Sequence, residues 1–128
     1  MKPGSKNPKV NVAVLGASDN PEKYSYQAVK LLKEKGHKVF PVHPALKEIE
    51  GIKVYPSVRD IKEPIDTVSL YVSKTISSKI ADDILGASPR RIILNPGAEN
   101  PALASKAQSK GIQALSACTL VMLKTNQF

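Results

Sequence analysis

The stretch Val10-Asn11-Val12-Ala13-Val14-Leu15-Gly16-Ala17-Ser18-Asp19-Asn20-Pro21 decides the fold. Its first six residues are nearly all apolar, and Gly16 ends the run. A short apolar run without polar alternation suits a strand covered on both faces, as in parallel sheets. The period then changes. From Ser25 to Lys35, Ala28, Leu31 and Leu32 recur on one helical face, Lys30, Lys33 and Glu34 lie outside it, and Gly36 stops the segment.

The same alternation continues downstream. Lys38-Val39-Phe40-Pro41-Val42 reads as a second strand broken by Pro44, Ile52-Lys53-Val54-Tyr55-Pro56 as a small edge strand, and Val58 to Ile61 as a turn of helix. Asp66-Thr67-Val68-Ser69-Leu70-Tyr71-Val72 is a third strand. A helix is expected from Thr75 to Leu85, with Ile76, Ile80 and Ile84 recurring on one face and Gly86 behind them. Arg91-Ile92-Ile93-Leu94 is a fourth strand. Asn100 then caps a helix opening at Pro101 and running to Lys110. Ile112-Gln113-Ala114-Leu115 is a fifth strand, and the apolar tail from Cys118 to Leu123 packs as either strand or helix. Strands alternating with helices of about 10 residues imply right-handed βαβ units. The expected architecture is α/β: a three-layer, doubly wound parallel sheet of about five strands, Rossmann-like.

Length and composition bound the rest. A chain of 128 residues makes about one domain. The expected organisation is a flexible N-terminal arm over residues 1–9 and a single domain over 10–128. A single Cys excludes an internal disulfide and favours a reducing compartment. No apolar run reaches the ~18 residues of a membrane span, and Met1-Lys2-Pro3-Gly4-Ser5-Lys6 leads into no signal-peptide core, so a cytoplasmic protein is expected. Nineteen Lys and Arg against eleven Asp and Glu give +8, which raises anionic partners. The charge is dispersed, with Arg90-Arg91 the one adjacent basic pair. Aromatic residues make up 5% and Trp is absent, so stacking platforms for single-stranded nucleic acid are scarce.

In such a sheet, ligands sit beyond the carboxyl ends of the strands, where the strand order reverses. The loop Gly16-Ala17-Ser18-Asp19-Asn20-Pro21, with the helix start near Ser25, offers amides and a hydroxyl to a phosphate. It lacks the G-x-G-x-x-G of dinucleotide folds. The ribose-binding acid expected about 20 residues later is also missing, because Val42-His43-Pro44-Ala45-Leu46-Lys47 carries none before Glu48. His43 or Lys47 there suits a phosphate. His37 and His43 lie six residues apart and Cys118 has no second Cys, so neither a metal site nor a catalytic constellation is expected. His37, after the helix-ending Gly36, is expected to meet solvent or the helix dipole.

The blocks Val12 to Pro21, Ser25-Tyr26, Val39-Phe40-Pro41-Val42-His43-Pro44, Val54-Tyr55-Pro56-Ser57-Val58, Ile61 to Asp66 and Pro96-Gly97-Ala98-Glu99-Asn100 together resemble the small stand-alone CoA-binding domain proteins. These are relatives of the CoA-binding domain of the succinyl-CoA synthetase α subunit. The resemblance implies CoA, or an acyl-CoA, held across the strand ends. It implies that Gly16, Ala17, Ser18, Ser25 and Tyr26 meet the pyrophosphate. Val42, His43, Pro44 and Lys47 would surround the adenosine ribose and its 3′-phosphate, Val72 and Ser73 the adenine, and Pro96, Gly97, Ala98 and Glu99 the pantetheine arm. The synthetase phosphorylates a His in a second domain that this chain has no room for, so the resemblance implies binding of a small molecule without catalysis, metal or membrane. An NAD(P)-binding redox protein and a basic nucleic-acid-binding protein are the alternatives.

Overall fold

The computed structural model describes residues 8–128, so most of the expected N-terminal arm lies outside the described residues. A five-stranded parallel sheet forms the centre. Its strands are β1 (Asn11–Leu15), β2 (Lys38–Val42), β5 (Thr67–Leu70), β6 (Arg91–Leu94) and β7 (Gln113–Ser116), in the spatial order β2-β1-β5-β6-β7. β1 pairs with β2 through Val12↔Val39 and with β5 through Val14↔Ser69. The order reverses between β1 and β5, which places the switch point at Gly16 and the residues after Leu70.

Successive side chains on a strand face opposite ways, and the two faces of β1 show it. Val12 and Val14 pack with Val29 and Leu32 of α1 (Tyr24–Glu34) and Leu123 of α5 (Thr119–Lys124). Ala13 and Leu15 belong to the opposite core, with Ile84, Leu85, Leu103 and Ala107 from α3 (Ala81–Gly86) and α4 (Pro101–Ser109). Helices therefore cover both faces, as the uninterrupted apolar runs require. The apolar tail forms the last helix.

Three expectations change. The helix expected over 75–85 is two short ones, α2 (Lys74–Lys79) and α3, meeting at Ile80, whose backbone leaves the helical region at φ −108, ψ 12. Thr75, Ile76, Ser77 and Ser78 are weak helix formers. The bend also carries Ile76 out to the surface while Ile84 stays in the core. The expected edge strand over 52–56 is instead a minimal hairpin of β3 (Glu48–Ile49) and β4 (Ile52–Lys53), turning through Glu50 and Gly51 at φ 52 and 75. Tyr55 then pairs singly with Val42, receiving the His43 amide at 3.0 Å and donating to Pro41 at 2.9 Å.

The third change concerns His37, which is buried rather than solvated. Gly36 adopts φ 90, and the His37 amide bonds back to the Leu32 carbonyl at 3.1 Å, turning the chain under the sheet. There Nδ1 accepts the Val10 amide at 3.1 Å and the ring packs on Phe128. Burial lowers its pKa, helped by the positive charges of Lys9 and Arg91. The unfolded chain consequently takes up this proton first. Stability is expected to be level above about pH 6.5, to fall below it, and to level again beneath the folded-state pKa. In His37→Asn, whose Oδ1 can accept the same amide, urea midpoints should lose this decline between about pH 7 and pH 5. An equal decline in both proteins would acquit His37.

Candidate functional site

Two clefts open at the carboxyl edge of the sheet, and both are bordered by Gly16 and His43. The first, of 470 Å³, is mostly apolar; Leu15, Val42, Pro44, Val58, Val72 and Ile80 contribute to its lining. The second, of 400 Å³, is more polar and includes Ser18, Asp19, Lys23, Tyr24, Ser25 and Tyr71. Ile76 on the first and Tyr24 on the second are 49% and 65% exposed. Large apolar side chains left in water beside a cleft contribute nothing to folding and suit a ligand.

Gly16 is the shared wall because no other residue type fits there. Its φ is +85, and a Cβ on it would stand 2.8 Å from Val72 Cγ1 and 3.1 Å from the Tyr71 carbonyl carbon. The loop is thus pressed against the end of the neighbouring strand. The amides of Gly16 and Ala17 both donate to the Val42 carbonyl at 3.2 Å, so they tie β1 to β2 and are not the donors an anion would use. The available donors lie further on. The amides of Tyr24, Ser25 and Tyr26, the first of α1, have no acceptor among the described residues, and Lys23 supplies no side-chain cap. Ser18 Oγ accepts the Asn20 amide at 3.0 Å and keeps its own hydrogen to donate. With the Lys23 ammonium, this set suits a phosphate.

The sequence-predicted residues divide into groups. Gly16, Ala17, Ser18, Ser25, Val42, His43, Pro44 and Val72 come together around the two clefts. Tyr26, Lys47 and Ser73 lie just outside them. Tyr26 Oη bonds the Glu50 carboxylate, Lys47 is exposed, and Ser73 Oγ caps α2 through the Ile76 amide at 3.3 Å. Pro96, Gly97, Ala98 and Glu99 form a separate turn beyond β6, where the Gly97 amide donates to Glu99 Oε1 at 3.0 Å and Ala98 is buried. Sequence reasoning missed Lys23, Tyr24, Ile76 and Pro56. The uncapped Lys23-Tyr24 helix start was the available signal for the first two; Ile76 instead has the spacing of a core residue.

A buried polar bridge supports the site from below. Asn95, fully buried, donates from Nδ2 to Ser69 Oγ at 3.1 Å and the Leu70 carbonyl at 3.0 Å, and accepts the Thr119 amide at 2.8 Å. Ser69 and Thr119 share a hydroxyl bond of 2.8 Å. The Tyr71 hydroxyl lies beside this bridge, fully enclosed and without a partner in bonding geometry. Burial, with the nearby Cys118, pushes its pKa up to about 12, so Tyr71 stays neutral. Cys118 is half-buried at the start of α5 and lines neither cleft. Among the described residues no group of three or more His, Cys, Asp or Glu is placed to hold a metal ion. None of their helices is long and apolar enough to cross a membrane.

The family model described as the CoA binding domain matches residues 10–124. The chain belongs to the CoA-binding domain family. The match covers both clefts, the β3–β4 hairpin and all five strands of the central sheet. Among relatives of this CoA-binding domain, the α subunit of an ADP-forming acetate–CoA ligase II from Pyrococcus furiosus is 42% identical over 69 residues, 53% of this chain and 15% of the ligase subunit. The uncharacterized protein YneT of Bacillus subtilis is 31% identical over 74 residues, 58% of this chain and 55% of YneT. A crystal structure of an uncharacterized protein superposes with a TM-score of 0.90 at 34% identity, covering 95% of this chain and all of that one. The dinucleotide-forming acetyl-coenzyme A synthetase 1 of Ca. Korarchaeum cryptofilum, in complex with phosphate and ADP, gives 0.73 at 28% identity over 87% of this chain and 26% of that chain. The CoA-binding domain thus spans about half of YneT and a small part of the ligases it matches.

Proposed function

We propose that this cytoplasmic protein binds CoA or an acyl-CoA across its two clefts and performs no chemistry on it. The observation that carries the reading is the junction at Gly16 and His43 of an apolar cleft and one rich in anion donors. A nucleotide with a flat base at one end and phosphates beside it needs that sequence of surfaces. In this reading the adenine enters between Val42, Pro44 and Val72. The diphosphate lies against Ser18, Lys23 and the start of α1, and the pantetheine arm runs toward Pro96-Gly97-Ala98-Glu99. Family membership supports the ligand class, and the separation of Cys118, His37 and His43 into three environments supports the absence of catalysis. The NAD(P) alternative finds less support, since no acid follows β2 before Glu48, and neither Glu48 nor Glu50, the latter engaged by Tyr26, lines a cleft.

The test is thermal. A ligand that binds only the folded chain adds about 2.7 kcal/mol at a hundred times its Kd, and each kcal/mol moves the melting point of a domain this size by roughly 2–8 °C. Millimolar CoA is expected to raise the melting temperature by several degrees if Kd is about 10 μM, and NAD to raise it much less. A larger shift with NAD would overturn the reading in favour of a redox protein. No shift with either, beside salt-sensitive DNA retention, would favour nucleic acid.

A further inference from the structure

We propose that the open edge of β7 docks an acidic partner protein, which lays an extended segment beside it as a sixth strand of the sheet. The two edges of the sheet are finished differently. At β2 the outer side is occupied: Tyr55 donates to the Pro41 carbonyl and takes the His43 amide, and Pro41 itself has no N–H to offer. β7, in contrast, pairs with β6 alone. The Gln113 and Ala117 amides donate inward, to the Arg90 and Leu94 carbonyls at 3.0 and 3.2 Å. Backbone groups alternate in direction along a strand, so Ala114 and Ser116 each turn an N–H and a C=O outward, where no partner stands among the described residues. Sheet edges are usually blunted by a charge, a proline or a bulge. Gln113-Ala114-Leu115-Ser116 has none of these.

The edge is open to solvent. Gln113 and Ser116 are exposed, Leu115 is half-buried, and Val121, on the helix that follows, is 55% exposed. Charge decides what fits there. From Asn100 to Phe128 the chain has Lys106, Lys110 and Lys124 and no Asp or Glu. All three lysines are exposed, and none takes part in an ion pair among the described residues. Lys106 lies on α4 and Lys124 on α5, and these helices pack on opposite faces of the sheet through Leu103 and Leu123. This end of the protein therefore presents unbalanced positive charge around an uncharged strand. A second copy would set the same lysines against one another. A segment alternating apolar and acidic residues would instead lay its apolar side chains over Leu115 and Val121 and turn its carboxylates to the ammonium groups. A nucleic acid would use the lysines and leave the outward amides and carbonyls unmatched. No residue of β7 lines either cleft, so the partner and a ligand at the carboxyl edge do not overlap.

The probe is a synthetic peptide of alternating valine and glutamate, blocked at both ends, with a valine–lysine peptide of the same length as control. In titrations followed by amide NMR, the glutamate peptide is expected to shift residues 113–117 and to slow hydrogen exchange at Ala114 and Ser116 by about tenfold, and the lysine peptide to do neither. Two variants divide the contact. Ser116→Pro removes one outward N–H at an edge where proline is tolerated, and should abolish peptide binding while the melting temperature stays within a few degrees. The triple variant Lys106→Glu, Lys110→Glu and Lys124→Glu alters exposed side chains alone. It should weaken the glutamate peptide by about tenfold and transfer binding to the lysine peptide. Should Ser116→Pro fail to fold, the triple variant decides. Unshifted amides in β7 at millimolar glutamate peptide, or equal binding of the two peptides by the unaltered protein, would overturn the proposal. A dimer in sedimentation that Ser116→Pro dissolves would overturn it in favour of a second copy. Duplex DNA retained by the unaltered protein and lost in the triple variant, with no peptide bound, would overturn it in favour of nucleic acid.

Discussion

Gly16→Val is expected to leave no CoA binding detectable at a hundred times the unaltered protein's Kd, in a chain that still folds. The new Cβ would meet Val72 Cγ1 at 2.8 Å and the Tyr71 backbone at 3.1 Å, and backbone cannot step aside. A left-handed conformation adds about 1–2 kcal/mol for any residue with a Cβ, and a β-branched one is stiffer still. The strain is relieved by lifting the loop off the end of β5, which moves the wall common to both clefts. The obstruction thus acts through the protein rather than by a valine projecting into the ligand's path. Melting should fall by several degrees as well. Titration calorimetry with CoA decides the point: affinity within about threefold of the unaltered protein would release Gly16 from the site.

The second large effect is on stability. Asn95→Ala is expected to cost about 3 kcal/mol, because it strands the Thr119 amide inside the protein, takes a donor from Ser69 Oγ and leaves a small void, while the Leu70 carbonyl keeps the backbone amide of residue 95 at 3.3 Å. Each stranded group costs about 1–3 kcal/mol, and the melting temperature should drop by about 10 °C. Thr119→Val, which removes only the hydroxyl pair with Ser69, should cost about 1 kcal/mol. Urea denaturation of both variants checks the ranking. A loss below about 1 kcal/mol for Asn95→Ala would mean that water enters and replaces the bridge.

What could be read in the sequence was what depends on neighbours along the chain. Val12 to Leu15 and Ile92 to Leu94 are buried along their whole length, and continuous burial leaves a continuous apolar run, whereas β5 buries Thr67 and Ser69 in alternation with Val68 and Leu70. The glycine stops and the Asn100 cap are likewise local; the cap accepts the Leu103 amide at 3.1 Å. What escaped depends on residues distant in sequence. Asn95 beside Pro96-Gly97 has the composition of a turn, and its bridge exists only because Ser69 and Thr119 arrive from 26 and 24 residues away. His37 looked terminal because its partner, Val10, lies 27 positions earlier. Ile76 and Ile84 share one helical period yet face different surroundings, since the bend at Ile80 separates them. Within the site, Gly16 and His43 were visible as residues of the right kind, but their common position between two cavities was not.

The hairpin turn at Glu50 is fastened twice to α1: its carboxylate takes the Tyr26 hydroxyl, and its carbonyl takes Lys33 Nζ at 2.7 Å. The segment from His43 to Glu50 therefore hangs between the edge strand β2 and a helix, with its ends and its middle already tied. Ordering a free segment of that length would cost about 1–2 kcal/mol per residue in backbone entropy, drawn from the affinity of whatever binds. Here that disorder was surrendered during folding. Tyr26 and Lys33, neither of which borders a cleft, thus favour association by leaving the ligand little of the protein to organise.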